Sequence, residues 1–158
     1  MNLELKNLKI NERLSEETTC FTATVYVDGK RAFDVANRGN GGPNEYYGNY
    51  EAAQKYAASL PPYVIKDEGE TCEEMTIRSL PYDLDMLIDD LINDAQYEKM
   101  IKRDLKCIAL IKDCKYYTTK AANTPEMIAV VKQKYPTATI LNTMPIKEAV
   151  ALCKSLGL

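Results

Sequence analysis

No histidine occurs anywhere in the 158 residues. The commonest general base at neutral pH and the commonest transition-metal ligand are therefore missing, which excludes histidine-dependent triads, histidine-metal hydrolases and zinc sites of mixed Cys/His type. Cysteine is scarce and odd in number: Cys20, Cys72, Cys107, Cys114 and Cys153 are scattered, mostly inside apolar runs, and read as reduced core thiols rather than a disulfide framework. A thiol nucleophile among them would have no histidine base beside it. Long apolar runs are absent too. Nowhere do about 18 apolar residues follow one another, as a spanning helix needs, and the opening "MNLELKNLKINERL" lacks the apolar core of a secretion signal. There is no internal repeat and no Ser/Gly linker. These absences predict a cytoplasmic protein with no membrane partner, no metal and no cofactor.

Apolar residues make up 46% of the chain and charged residues 27%, a globular balance with enough apolar content for a full core. The length fits one domain over residues 1–158, with sub-modules 1–104 and 105–158 as the alternative. The net charge of −3 hides a gradient. Residues 1–66 carry eight acids and eight bases; residues 67–104 carry twelve acids against four bases; residues 105–158 carry three acids against eight bases. An acidic middle and a basic tail either pair within the fold or face two partners.

The pattern predicts an α+β fold: an N-terminal antiparallel hairpin extended to a three-stranded sheet, a central acidic amphipathic helix, and a C-terminal β-β-α-β-α portion. "LELKNLKI" (3–10), "CFTATVYV" (20–27) and "RAFDVA" (31–36) read as strands, the last two joined at Asp28-Gly29, whose residues tolerate the positive φ of a type I′ turn. Residues 49–60 read as a helix with Asn49 as N-cap and Pro61-Pro62 as its stop. A charged connector (66–74) leads to a brief strand, "MTIRSL" (75–80). Residues 83–105 form the longest periodic segment, striped by Leu84, Leu87, Ile88, Leu91 and Ala95, with acids early and Lys102 and Arg103 late, as the helix dipole favours. Strands at 107–112 and 115–120 flank Asp113-Cys114. A helix at 124–135 with Thr124 as N-cap, a strand at 137–141 and a helix at 144–157, with Gly157 just past its end, complete the chain.

The densest punctuation is "DVANRGNGGPNEYYG" (34–48), which holds four of the seven glycines. Successive amides in such a turn can cradle an anion, and Arg38 adds charge, so Arg38, Gly39, Asn40, Gly41, Gly42 and Asn44 form a candidate ligand loop. Yet the stretch lacks the spacing and lysine of a P-loop and the G-x-G-x-x-G of a dinucleotide fold. The structural alternative is an irregular strand exit, with Gly39, Gly41 and Gly42 at positive φ and Asn37, Asn40 and Asn44 making side-chain turns.

The segment "LKINERLSEETTCFTATVYVDGKRAFDVANRGNGGPNEYY" (8–47), about a quarter of the chain, resembles the opening of small uncharacterised proteins encoded by phages, prophages and plasmids. The shared features are Ser-Glu-Glu-Thr, a Cys-Phe strand, a Val-Asp-Gly-Lys hairpin and an Asn-x-Gly-x-Gly-Gly loop. Pro43 departs from the pattern, which favours cysteine or a small polar residue there. The resemblance implies a mobile-element context and carries no activity with it.

Other constellations are weaker. Asp83, Asp85, Asp89, Asp90 and Asp94 crowd one helix but lack the mid-loop glycine and closing glutamate of a calcium loop, so they read as a solvated or partner-facing acidic face. Asp104-x-Lys106 and Asp113-x-Lys115 flank a strand as nuclease carboxylates do, without a further acid on a neighbouring strand. Eight lysines after residue 105, with Tyr116 and Tyr117 among them, suit a nucleic-acid backbone, though an acidic segment directly precedes them. Together the residues favour a non-catalytic binding protein of mobile-element type that engages a protein, with host-defence interference as the role its context implies. Its candidate contacts are Tyr46, Tyr47 and Tyr50 beside the loop and Asp85, Asp89 and Asp90 on the helix. The first alternative is an anionic small molecule or nucleotide held by the loop; the second is a metal-dependent nuclease or nucleic-acid binder.

Overall fold

The computed structural model describes residues 1–67 and 76–158. Most of the charged connector, Cys72 and Met75 lie outside the described residues. The chain is α+β and divides into two compact units, Met1–Ile92 and Asn93–Leu158.

Unit 1 is built on an antiparallel sheet in the order β1 (Leu3–Ile10), β2 (Phe21–Val27), β3 (Lys30–Asn37), β4 (Glu45–Gly48). Strict alternation makes one face apolar: Phe21, Ala23 and Val25 of β2 and Phe33 and Val35 of β3 are buried, while Thr22 between them is exposed. That face packs with Ala53 and Ala57 of α1 (Glu51–Ala58) and with Leu84, Ile88 and Ile92 from the first half of α2 (Leu84–Asp104). The β2–β3 hairpin turns at Asp28 (φ 47°) and Gly29 (φ 79°), with Val27 opposite Lys30, as the Asp-Gly pair predicts. A separate two-stranded ribbon, β5 (Tyr63–Asp67) with β6 (Thr76–Leu80), follows α1.

Two expectations change here. The three-stranded sheet gains β4, which pairs Val35 with Tyr46 and Asp34 with Tyr47, so the glycine stretch connects two paired strands. The helix of residues 49–60 shortens to α1. Its N-cap position is Tyr50, not Asn49, and no side chain caps it, since tyrosine has no short oxygen to reach the first amides; its ring packs with Phe33 and Tyr46 at centroid distances of 6.3 and 5.2 Å.

Unit 2 places a sheet in the order β8 (Lys115–Ala122), β7 (Cys107–Lys112), β9 (Thr139–Ile140) between helices. Buried alternate residues of β7 face opposite ways. Ala109 and Ile111 pack with Ile101 of α2 and with Ala149, Val150 and Cys153 of α4 (Ile146–Ser155), while Ile108 and Leu110 pack with Val131 of α3 (Pro125–Lys134). Thr124 caps α3, its hydroxyl accepting from the Met127 amide, with Pro125 in the first turn. The end of α4 closes as a Schellman motif: the Leu158 amide donates to the Cys153 carbonyl and the Gly157 amide to the Lys154 carbonyl. The strand expected at 137–141 contracts to Thr139–Ile140, since the chain turns into a 3₁₀ turn, Leu141–Thr143, that buries Leu141 completely.

Candidate functional site

The connection from β3 to β4 is organised around Asn37, a buried polar side chain at 7% exposure. Its Oδ1 accepts from the Thr18 hydroxyl (2.8 Å) and from the Gly39 amide (2.8 Å). Its Nδ2 donates to the Gly42 carbonyl (3.0 Å) and to Asn44 Oδ1 (2.9 Å). The Asn37 and Asn44 side-chain turns expected from sequence are thus present, whereas exposed Asn40 makes no such bond among the described residues.

Gly39 (φ 88°) is needed twice over. Its conformation is left-handed, and a Cβ there would lie 2.0 Å from the Leu14 carbonyl oxygen. Gly41 (φ 80°) is also left-handed, but a Cβ there would meet only the movable end of the Glu17 side chain. Gly42 is not at positive φ, contrary to the expectation that it would join Gly39 and Gly41, and a side chain there would meet nothing. A cradle of successive amides does exist nearby, but it is filled: Glu16, Glu17 and Thr18 donate to the Gly39 carbonyl at 3.0, 3.0 and 3.3 Å.

Several of the loop's own donors are also engaged. The Gly39 amide serves Asn37 and the Gly41 amide reaches the Thr18 hydroxyl at 3.3 Å. The Arg38 guanidinium, 78% exposed, is tied to Glu45 at 2.9 Å. Glu45 accepts as well from the Tyr47 hydroxyl. That bond first, and then the Arg38 charge, hold the Glu45 carboxyl below the usual carboxylate range, while Glu45 holds the Tyr47 hydroxyl above its ordinary value. The six loop residues therefore stand together in space, with the Glu17 and Glu45 carboxylates facing Gly41 and Arg38 respectively.

The three tyrosines separate. Tyr46 and Tyr50 turn inward onto Phe33, and Tyr46 donates its hydroxyl to Asp85. Burial first, then that bond, push the Tyr46 hydroxyl far above its ordinary value. Tyr47, opposite Asp34 on the other face of the sheet, is 57% exposed. Of the three helix acids, Asp85 is engaged by Tyr46, Asp90 accepts from Tyr82, and Asp89 is exposed. Lost hydration, then the carboxylates of Asp85, Asp90 and Asp83, raise the Asp89 carboxyl. Two of these acids thus serve internal contacts.

In unit 2 the strand between Asp104 and Asp113 keeps the two carboxylates a full strand length apart, roughly 20 Å for six residues. Asp104 is held by Arg103 (2.8 Å) and accepts from Tyr116 (3.1 Å). Among the described residues no three Cys, Asp or Glu side chains cluster as metal ligands, and no helix is long and apolar enough to cross a membrane. Cys153 is buried and its thiol raised by burial; Cys114 is exposed at the β7–β8 turn. An open groove of about 570 Å³ separates Asp94 and Glu98 of α2 from Ile146, Val150 and Lys154 of α4, and the Lys154–Asp94 ion pair (2.6 Å) spans it.

Sequence reasoning missed the roles of Thr18, Glu45 and Asn142. Asn142 accepts from the Ala109 amide (2.8 Å) and donates to the carbonyls of Leu105 (3.3 Å) and Cys107 (2.8 Å), fixing the turn from α2 into β7. The one signal available was Glu45 beside Tyr47 and seven residues from Arg38. No protein-family model, no curated protein and no solved structure matches this chain.

Proposed function

We propose that the protein is a non-catalytic binding module that engages a protein partner through the open face of the unit 1 sheet, with Tyr47 as its anchor. The observation that carries this reading is the exposed Tyr47 ring, whose hydroxyl donates to Glu45, itself paired with Arg38. A large amphipathic ring with only two rotatable bonds loses little entropy on binding, which is why such residues anchor interfaces. Asp34, Thr24 and Thr22 surround it on the same face. Unit 1 carries seventeen acidic against nine basic side chains, a net −8, which favours a partner with a lysine- or arginine-rich surface. The resemblance of residues 8–47 to mobile-element proteins supports a host protein as that partner, and interference with host defence as the role. The Gly39 and Gly41 amides and Arg38, being engaged internally, favour this reading over a bound nucleotide.

The test is capture from a bacterial lysate on the immobilised full chain, followed by titration of the purified captured protein against wild type, Tyr47→Ala and Tyr47→Phe. Tyr47→Ala is expected to weaken binding by about thirtyfold, the loss typical of an aromatic hot spot, with an unchanged circular dichroism spectrum. Equal affinity for Tyr47→Ala and wild type, or no captured protein at all, overturns the reading.

A further inference from the structure

A second surface, in unit 2, carries an inference independent of the Tyr47 reading. The register of β7 and β8 sets Lys112 opposite Lys115 and Leu110 opposite Tyr117. Alternation along the strands brings these four side chains to one face, and Leu110 identifies it as the face that carries α3, since Leu110 packs with Val131. The end of α3 reaches the same place. The Lys112 Nζ lies 5.5 Å from the centre of the Tyr135 ring and the Lys134 Nζ 5.4 Å from that same ring. Lys112, Lys115, Tyr117, Lys134 and Tyr135 therefore form one continuous surface at the hairpin-tip end of the sheet.

Its charges are largely uncompensated, as are those of Lys99, Lys106, Lys120 and Lys147 among the described residues of the unit; what sets this surface apart is the exposed tyrosine among its lysines. Lys102, Arg103 and Lys154 each hold a carboxylate at 2.8 Å or less. Among the described residues Lys115, Lys132 and Lys134 hold none. Lys112 has only Asp113, 3.8 Å away with its side chain 78% exposed, a pairing of little strength in water. Unit 2 as a whole has eleven basic against six acidic side chains. Tyr117 is 46% exposed and its hydroxyl has no partner among the described residues, unlike Tyr116, which faces the other way and donates to Asp104.

We propose that this surface binds single-stranded nucleic acid. The unpaired lysines supply counter-charges for successive phosphates, and the free Tyr117 ring supplies a platform on which a base stacks, whatever its sequence. A duplex offers the phosphates but keeps its bases inside, so Tyr117 favours the single strand. An acidic protein or an anionic membrane would satisfy the lysines and leave Tyr117 without a role.

The experiment is fluorescence anisotropy of a fluorescein-labelled oligothymidylate of about 20 nucleotides, a length that spans several binding sites of this kind, with the full chain as titrant. Binding at about 50 mM salt is expected to fall about twentyfold at about 200 mM, the slope for some three phosphate contacts to a single strand. Lys115→Gln/Lys134→Gln is expected to lower affinity at least tenfold and to flatten that slope. Tyr117→Ala is expected to lower it by about fivefold or more, the loss of one stacked base, while Tyr117→Phe retains it. Unchanged circular dichroism certifies the fold of each variant. Three results overturn the proposal: no binding at low salt, wild-type binding by the double lysine variant, or wild-type binding by Tyr117→Ala. The last, accompanied by equal binding to polyglutamate or to phosphatidylserine vesicles, identifies a surface that reads charge alone.

Discussion

The β3–β4 connection of unit 1 and the β7–β8 turn of unit 2 both carry the backbone into the left-handed region, in opposite chemical settings. In the first, glycines occupy the positive-φ positions, at 88° and 80°, and the surroundings close around them: the Gly39 and Gly41 amides, the Gly39 and Gly42 carbonyls and the Arg38 guanidinium find partners within the unit. In the second, two residues with side chains, Asp113 (φ 51°) and Cys114 (φ 55°), make the turn, and the flanking lysines face solvent. Glycine density in this chain marks where the backbone must pack against itself. The plain turn is the one that leaves charge unspent.

The sharpest way to test that contrast is Gly39→Ala. The added Cβ collides with the Leu14 carbonyl and the φ is strained as well, so unit 1 is expected to lose about 3 kcal/mol or more in urea denaturation followed by circular dichroism. Gly42→Ala, three residues on, is expected to change stability by less than about 0.5 kcal/mol. Equal effects at the two positions would break the claim that packing, and not loop composition, sets the need for glycine. Next in size are the asparagine hubs. Asn37→Ala removes four bonds from a buried group and is expected to cost about 2–3 kcal/mol; Asn142→Ala, half-buried with three bonds, about 1–2 kcal/mol. The reverse order would mean that the turn into β7, rather than the glycine loop, is the more tightly determined.

The same contrast explains what could be read from sequence. Both hairpin turns, the Thr124-Pro125 helix start and the extent of α2 are local: their signals lie in adjacent residues, and each is found where the pattern puts it, although the buried stripe of α2 runs through Leu84, Ile88 and Ile92 and does not include Ala95. β4 is four residues long, too short for alternation to register, and it exists because Phe33 through Ala36 offer it an edge. Tyr46 and Tyr47 look alike in sequence and part only because that pairing turns one inward and one outward. Asp85 reads as a solvated acid until Tyr46, thirty-nine residues earlier, donates to it. Asn37 announces an Asx turn through Gly39, but not its burial. Asn142 announces nothing, because its partners at Leu105, Cys107 and Ala109 are more than thirty residues away. The candidate loop was legible as a place and illegible as chemistry, since the Gly41 amide is taken by the Thr18 hydroxyl and the Gly39 carbonyl by the amides of Glu16 to Thr18, all from another part of the chain.

Smaller changes sharpen the unit 2 side. Cys114→Gly relieves a left-handed residue with a side chain and is expected to stabilise by about 0.5–1 kcal/mol, whereas Cys114→Val, branched at the same φ, destabilises. A Cys114→Gly variant no more stable than wild type would mean that the turn is not strained.

The smallest expected effect separates charge held inside unit 2 from charge left outside it. Arg103 first, then the Tyr116 hydroxyl, hold the Asp104 carboxyl below its ordinary value. A depressed carboxylate contributes stability that is present above the unfolded value of about 4 and is lost as pH falls through the folded value. Asp104→Asn should therefore be less stable than wild type at pH 7, and the gap in urea midpoint should close toward pH 3. Arg103 is 72% exposed, so solvent screens its share and the gap is modest. Because Tyr116 lies on the face opposite Tyr117, this substitution should leave oligonucleotide affinity unchanged apart from the small gain from removing one negative charge. A loss of affinity in Asp104→Asn would show that the two faces of β8 are energetically coupled, and that the lysine surface depends on the anchored tyrosine behind it.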